Sequence, residues 1–206
     1  MIGIFGSFFF IVSTMILGFI QPGYDHIIDT ISVLVLSKYG WIQNINFVIL
    51  AISFCFLGAG LGMFFYRKFT NSITIGFFLI AGCLLIDVFF KADPIDRTQI
   101  QLTTFHSQEG FIHLLVTFIM VILIPLFFID LIRKLNQVEA YRPLANYTIF
   151  VIITNLVFGL LWFYCRRNGI GFEIKGIWQK GIVLNVLIWM TVIGSWLYKH
   201  GIKKLI

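Results

Sequence analysis

The sequence predicts an all-α protein, a polytopic integral membrane bundle of six transmembrane helices. Of its 206 residues, 59% are hydrophobic and only 12% are charged, and the mean hydropathy is +0.96. A soluble domain carries about 25% charged residues. The low charge and long apolar runs therefore indicate a chain that lies mostly within a membrane.

Six apolar segments are candidate spans, at residues 2–20, 45–66, 73–90, 111–132, 147–165 and 181–198. Each is near the ~20 residues that a helix needs to cross ~30 Å of hydrocarbon. The segments lack the alternating pattern of a barrel strand, and a span must satisfy its own backbone polar groups, so they are expected to be helices. Residues 1–206 are expected to form one transmembrane domain. The first segment, which has no basic n-region, is expected to be retained.

The basic residues predict the orientation of these helices. With an even number of spans both termini share a side, and the loops on that side carry eight Lys and Arg residues against seven on the other. The positive-inside rule then places both termini in the cytoplasm. The predicted location is a bacterial inner (plasma) membrane, crossed several times.

The acidic and histidine residues divide far less evenly than the basic ones. Seven of the nine carboxylates and three of the four histidines fall in the first, third and fifth loops or the helix ends beside them. A solvated set of loops can collect such residues without any function. However, basic groups that oppose the positive-inside trend accompany them, which favours a polar pocket for a lipid or amphiphile head group. The residues predicted to bind a ligand here are His26, Asp29, Asp93, Asp96, His106, Glu109, Arg166, Arg167, Gln179 and Lys180.

Two polar residues of this group are predicted to lie inside the membrane. Asp87 is close to the end of the third segment and His113 is close to the start of the fourth. At 1.5 Å per residue, both side chains are roughly 4–5 Å inside the boundary, where each needs a partner. We expect them to pair. The pair has a structural interpretation, as a bond between helices, and a catalytic one, as a base or proton relay.

The stretch "HSQEGFIHLL" does not predict a metal site. His106 and His113 are seven residues apart, so in a helix they are about 10 Å apart along the axis and cannot bind one ion. Only His113 lies inside a span, which also disfavours haem. No metal and no cofactor are predicted.

Arg166 and Arg167 begin the fifth loop, "CRRNGIGFEIKGIWQKG". Together with the lysines that follow, they could hold a phosphate or carboxylate. Alternatively, they are side chains that reach from helix ends toward water. Elsewhere, Gly58 and Gly62 form a GxxxG motif that permits close helix association, and Asn155 and Asn185 are expected to bond across helices.

Several of these motifs, in order along the chain, resemble one known family. They are "PGYDHIIDTIS", "NINF", "LLIDVFFKADPID", "HSQEGFIH" and "GIWQKG". The chain resembles the prokaryotic membrane family catalogued as domain of unknown function 998. The resemblance implies a six-helix integral membrane fold, and no settled activity comes with it. Within the family's pattern Asp93 and His113 carry over best, whereas Lys91 and Lys180 depart from it.

Three functions are left open by the sequence. The first is binding of a lipid or amphiphile in the predicted pocket, with or without catalysis. The second is a proton-linked transporter or permease that uses Asp87 and His113 as a relay. The third is an accessory or assembly subunit of a membrane complex. Membrane lipids are the predicted partners, and no nucleic acid is.

Overall fold

The computed structural model describes residues 2–94, 107–168 and 171–203, and of residues 166–168, 172, 202 and 203 it describes the backbone alone. Within these ranges the chain is helical and contains no strand. Six long helices follow one another, and the described parts of their connections contain three 3₁₀ helices. The long helices are α1 (Ile2–Ile20), α2 (Gly40–Tyr66), α3 (Ser72–Phe89), α4 (Gln108–Asn136), α5 (Arg142–Asn168) and α6 (Lys175–Lys203).

All six helices are long and apolar enough to cross a membrane. The predicted fold class is thus confirmed. The first helix has the predicted bounds, whereas α2 begins five residues earlier than its apolar run and α6 extends past its run at both ends. The added turns contain more polar residues than the apolar runs, as is common near the ends of membrane helices.

The helices form a closed ring in chain order. Each packs on the next, α6 returns to α1, and α2 also contacts α6 across the ring. Because α2 and α6 are in contact, most of the space inside the ring lies between them and the helices α3, α4 and α5. We call the end of the ring where α1–α2, α3–α4 and α5–α6 connect the loop face.

Local sequence signals explain the helix ends and the closest helix pair. Asn71 caps α3 by accepting a hydrogen bond from the Thr74 amide at 3.0 Å, as expected of an N-cap asparagine. A Cβ atom on Gly58 would lie 2.4 Å from the Cβ of Phe77, and one on Gly62 would lie 2.0 Å from the Thr74 hydroxyl. The GxxxG motif therefore brings α2 against α3 of the same chain.

An amide cluster joins α5 to α6, as the sequence predicts. The Asn185 side chain donates to Oδ1 of Asn155 at 2.8 Å and to the Thr154 hydroxyl at 2.7 Å. Such bonds stabilise neighbouring helices where no water competes.

Aromatic side chains fill the half of the ring that is farther from the loop face. Trp189 is fully buried, and its ring centroid is 4.0 Å from that of Phe128. Its indole N–H donates to the Thr148 hydroxyl at 3.0 Å. Phe77 completes the cluster. The half of the ring nearer the loop face is not filled in this way.

Candidate functional site

A central cavity of about 130 Å³ lies inside the ring on the loop-face side of the aromatic cluster. All six helices and the first 3₁₀ helix, Ile31–Leu36, contribute to its wall. Most of the lining is apolar, and the polar residues Asp87, His113 and Gln179 come from the parts of α3, α4 and α6 next to the loop face. The wall consists of Phe10, Ile31, Ser32, Phe47, Leu50, Phe54, Ile80, Leu84, Asp87, His113, Thr117, Met120, Val121, Ile124, Trp162, Gln179, Ile182, Val183, Val186 and Leu187.

Asp87 and His113 meet at the end of this cavity, which we call the polar end. Nδ1 of His113 lies 3.0 Å from Oδ1 of Asp87 and 3.1 Å from the carbonyl oxygen of Phe90. Both side chains are buried, with Asp87 3% and His113 8% exposed. The expected contact between the two residues is therefore present. Because Phe90 caps α3, His113 also holds the end of that helix.

The hydrogen bonds at the polar end are incomplete. Two acceptors face Nδ1, so this nitrogen must carry the proton, and its geometry makes a hydrogen bond with the Phe90 carbonyl. Oδ1 of Asp87 is buried and lies 3.0 Å from the same nitrogen, so it competes with the carbonyl for that one proton, and no other donor among the described residues reaches it. A carboxylate oxygen left in this way is costly, since its lost hydration is not replaced.

Gln179 connects the polar end to the first loop. Its side-chain oxygen accepts a hydrogen bond from the Ile31 amide at 2.8 Å, so α6 fixes the start of the 3₁₀ helix that supplies Ile31 and Ser32 to the wall. A Cβ atom on Gly176 would lie 2.5 Å from the carbonyl oxygen of Asp29. This glycine is needed because the loop backbone lies directly on α6 there.

Lys180 and Asp29 belong to the first loop's own bonding rather than to the cavity wall. The Lys180 ammonium donates to the backbone carbonyl of Asp29 and lies 5.2 Å from the Tyr24 ring centroid. The Asp29 carboxylate accepts from the Asp25 amide at 2.9 Å. Burial, together with the carboxylates of Asp29 and Asp25, raises the pKa of the Tyr24 hydroxyl well above its ordinary value of 10.0.

Asp93 and Glu109 lie at the start of α4. Ser107 caps this helix by accepting from the Gly110 amide at 2.9 Å, and its hydroxyl donates to Asp93 at 2.6 Å. A Cβ atom on Gly110 would lie 2.1 Å from an Asp93 oxygen. The Asp93 carboxylate thus sits against the positive end of a helix, which stabilises it. Glu109 is in the first turn of α4 and is exposed.

His26 is separate from the central cavity. Its ring packs on Phe19, with 4.6 Å between centroids, and a Cβ on Gly18 would lie 2.5 Å from it. Its Nε2 is buried with no hydrogen-bond partner among the residues that the structure describes. Asp96 and His106 lie outside the described residues, as do the side chains of Arg166 and Arg167.

The structure therefore brings together only part of the predicted site. Of the residues named from the sequence, Asp87, His113 and Gln179 line the central cavity. The sequence reasoning missed Ser32, Thr117 and Trp162, which supply the remaining polar atoms of the wall. Thr117 and Trp162 lie in apolar segments, where nothing in the sequence marks which side chain faces inward, and Ser32 lies in a loop whose packing the sequence does not give.

Comparison with known proteins identifies a family but no activity. The model of one family, described as protein of unknown function (DUF998), matches residues 4–196. No curated protein matches the chain, and no solved structure does.

Proposed function

The chain belongs to this family of proteins of unknown function, DUF998, and we propose that it binds a lipid or another amphiphile in the central cavity. The head group would lie at the polar end beside Asp87 and His113, and the apolar part would contact the lining of α2, α4 and α6. The observation that carries this proposal is a space inside the ring with an apolar wall and a buried polar pair at one end.

The size of the cavity supports an occupant. An engineered apolar cavity of about 150 Å³ takes up a benzene ring. The central cavity, at about 130 Å³, has room for a small ring or for a head group with the first few carbons of a chain. A ligand whose apolar part contacts this wall would bind by removing apolar surface from water and lipid, and would stabilise the fold.

Two matched substitutions test the proposal. Val183→Phe places a ring in the cavity wall, whereas Val157→Phe adds the same ring to an exposed position on α5 that is 47% accessible. Each protein is purified from membranes in mild detergent, and bound small molecules are measured by native mass spectrometry. We expect the parent and Val157→Phe proteins to retain the same bound amphiphile and Val183→Phe to lose it. Equal retention in all three would refute cavity binding.

A proton-linked transporter is the second candidate, and the contact between Asp87 and His113 favours it. A buried carboxylate and imidazole can pass a proton when their bonding changes. The aromatic cluster around Trp189 closes the cavity on its far side, so transport would require that cluster to move. In proteoliposomes this function predicts a pH-driven solute flux that Asp87→Asn abolishes, and absence of flux for every solute offered would count against it.

A further inference from the structure

We infer that the amphiphile of the central cavity is a membrane lipid with a long hydrocarbon chain, and that this chain leaves the cavity between α4 and α5 to enter the bilayer. The inference rests on the proposed function, because it names the class of ligand for the same cavity and the route that the ligand takes. It depends on the volume of the cavity, on a second space beside it and on the weak packing of α4 and α5.

The central cavity is too small to hold a long chain. Its volume is about 130 Å³, and an apolar cavity of about 150 Å³ holds one benzene ring. A head group with a few carbons therefore fills it. A wall closed on every side would limit the ligand to a small molecule, whereas a wall that opens toward the lipid admits a chain that continues into the bilayer.

A second, smaller space of about 20 Å³ lies against this wall, between α4, α5 and α6. Val121, Ile124 and Ile182 border both spaces, so one layer of side chains separates them. Leu156 of α5 also lines the second space and is 46% exposed on the outer surface of the ring. Rotation of the three shared side chains to other rotamers would therefore join the central cavity to the surrounding lipid.

The depth of the second space suits a lipid. Val121 follows His113 by eight residues in α4, which is about 12 Å along the helix axis. His113 lies at the polar end, next to the loop face, so the second space is near the middle of a hydrocarbon core of ~30 Å. A lipid with its head group at the polar end would thus direct its chain toward the bilayer centre, as the lipids around the protein do.

Pro125 weakens α4 at the same depth, where it lines the second space. A proline has no amide hydrogen, so the Val121 carbonyl lacks its helical hydrogen bond, and helices bend at such positions. Only 11% of the apolar part of α4 and 17% of that of α5 are buried inside the protein, against 33% to 56% for the other four helices. These two helices can therefore separate with little loss of packing.

Specific contacts hold several other pairs of neighbouring helices together. Gly58 lets α2 pack closely on α3, and Gly6 lets α1 lie directly on Ser53 of α2. The Asn185 amide joins α6 to Asn155 of α5. Among the described side chains, no hydrogen bond of this kind joins α4 to α5. The gap between α4 and α5 is therefore the part of the wall that opens most easily.

Matched substitutions on α5 test this route. Leu156→Trp places a large ring in the second space. Leu160→Trp places the same ring one turn along α5, at a position that is 69% exposed and lines neither space. Leu156→Ala leaves the second space open and shows whether the fold tolerates a change at this position. Each full-length protein is purified from membranes in mild detergent, and the bound amphiphile is quantified by native mass spectrometry and identified after extraction.

We expect the parent protein to release a lipid with a chain of about 12 carbons or more, enough to cross half of a hydrocarbon core of ~30 Å. Leu156→Trp should retain about tenfold less of this lipid, because the added ring fills space that the chain needs. Leu160→Trp and Leu156→Ala should retain as much as the parent.

Other outcomes separate the inference from the proposed function. The inference would be overturned, and cavity binding kept, by an amphiphile that Val183→Phe removes but that has no long chain or is retained equally by Leu156→Trp and Leu160→Trp. Equal losses in Leu156→Trp and Leu156→Ala would also overturn it, since a smaller side chain cannot block the route. Retention that Val183→Phe does not change, or a parent protein that binds no amphiphile, would refute both.

Discussion

Because one oxygen of Asp87 is buried without a hydrogen-bond donor of its own, we expect the substitution Asp87→Asn to stabilise the ligand-free protein. Asp87→Asn keeps the shape of the side chain and removes its charge. A buried charged acceptor without a donor costs about 1–3 kcal/mol, and that cost falls when the group becomes a neutral amide. The lost contact with His113, at 3.0 Å and shared with the Phe90 carbonyl, is worth at most about 1–2 kcal/mol. We therefore expect the free energy of unfolding to rise by about 1 kcal/mol.

The assay is SDS-induced unfolding in mixed micelles, followed by tryptophan fluorescence, on protein stripped of bound amphiphile. Asp130→Asn is the matched control, because the Asp130 carboxylate accepts from both Tyr66 and Ser72. That substitution should lower the free energy of unfolding by about 1 kcal/mol, since it weakens charge-assisted hydrogen bonds. If Asp87→Asn destabilises the protein as much as the control does, the Asp87 oxygen is satisfied and the reasoning fails.

Three further substitutions examine the framework that positions the cavity. Gly110→Ala should lower the free energy of unfolding by roughly 1–3 kcal/mol, because its Cβ would overlap the Asp93 carboxylate. The control is Gly82→Ala, whose Cβ would meet open space and which should be neutral or stabilise the protein by up to about 1 kcal/mol. Similar losses for both would contradict the packing at Gly110. Asn185→Ala should lower the free energy of unfolding by about 1–2 kcal/mol through the bonds it removes between α5 and α6, and an unchanged value would mean that those bonds contribute nothing. The raised pKa of Tyr24 stabilises the fold below pH 10, the ordinary pKa, and this contribution falls as the pH rises further, because the unfolded chain loses the proton first. Unfolding measured from about pH 9 to 11 should thus depend on pH more steeply in the parent than in Tyr24→Phe, by up to about 1.4 kcal/mol per pH unit, and equal slopes would refute the shift.

The sequence was sufficient for the fold class because membrane helices are defined by length and apolar composition. It was also sufficient for the contact between Asp87 and His113, since their positions near the ends of consecutive helices give both side chains the same depth. The depth of a side chain in the membrane does not tell which neighbouring helix or loop it contacts. Lys180 stays a predicted ligand-binding residue, and its ammonium extends to the first loop and not to the central cavity. The GxxxG motif of Gly58 and Gly62 predicts close helix association without naming the neighbour, which is α3 of the same chain.

The central cavity itself could not be predicted from the sequence. Its wall combines residues from all six helices, and the helices are apolar on every side, so periodicity does not separate a lipid-facing leucine from one that lines the cavity. The size of the cavity depends on how far large side chains such as Trp189 and Phe128 extend into the ring. Those contacts join positions far apart in the chain, and only the arrangement of the ring determines them.

The most direct test of amphiphile binding is an experimental density map of the protein purified from membranes, at a resolution that shows side chains. We expect density for a small molecule in the central cavity, with its polar end nearest Asp87 and His113. A cavity that is empty, or closed by movement of α4 onto α6, would contradict it.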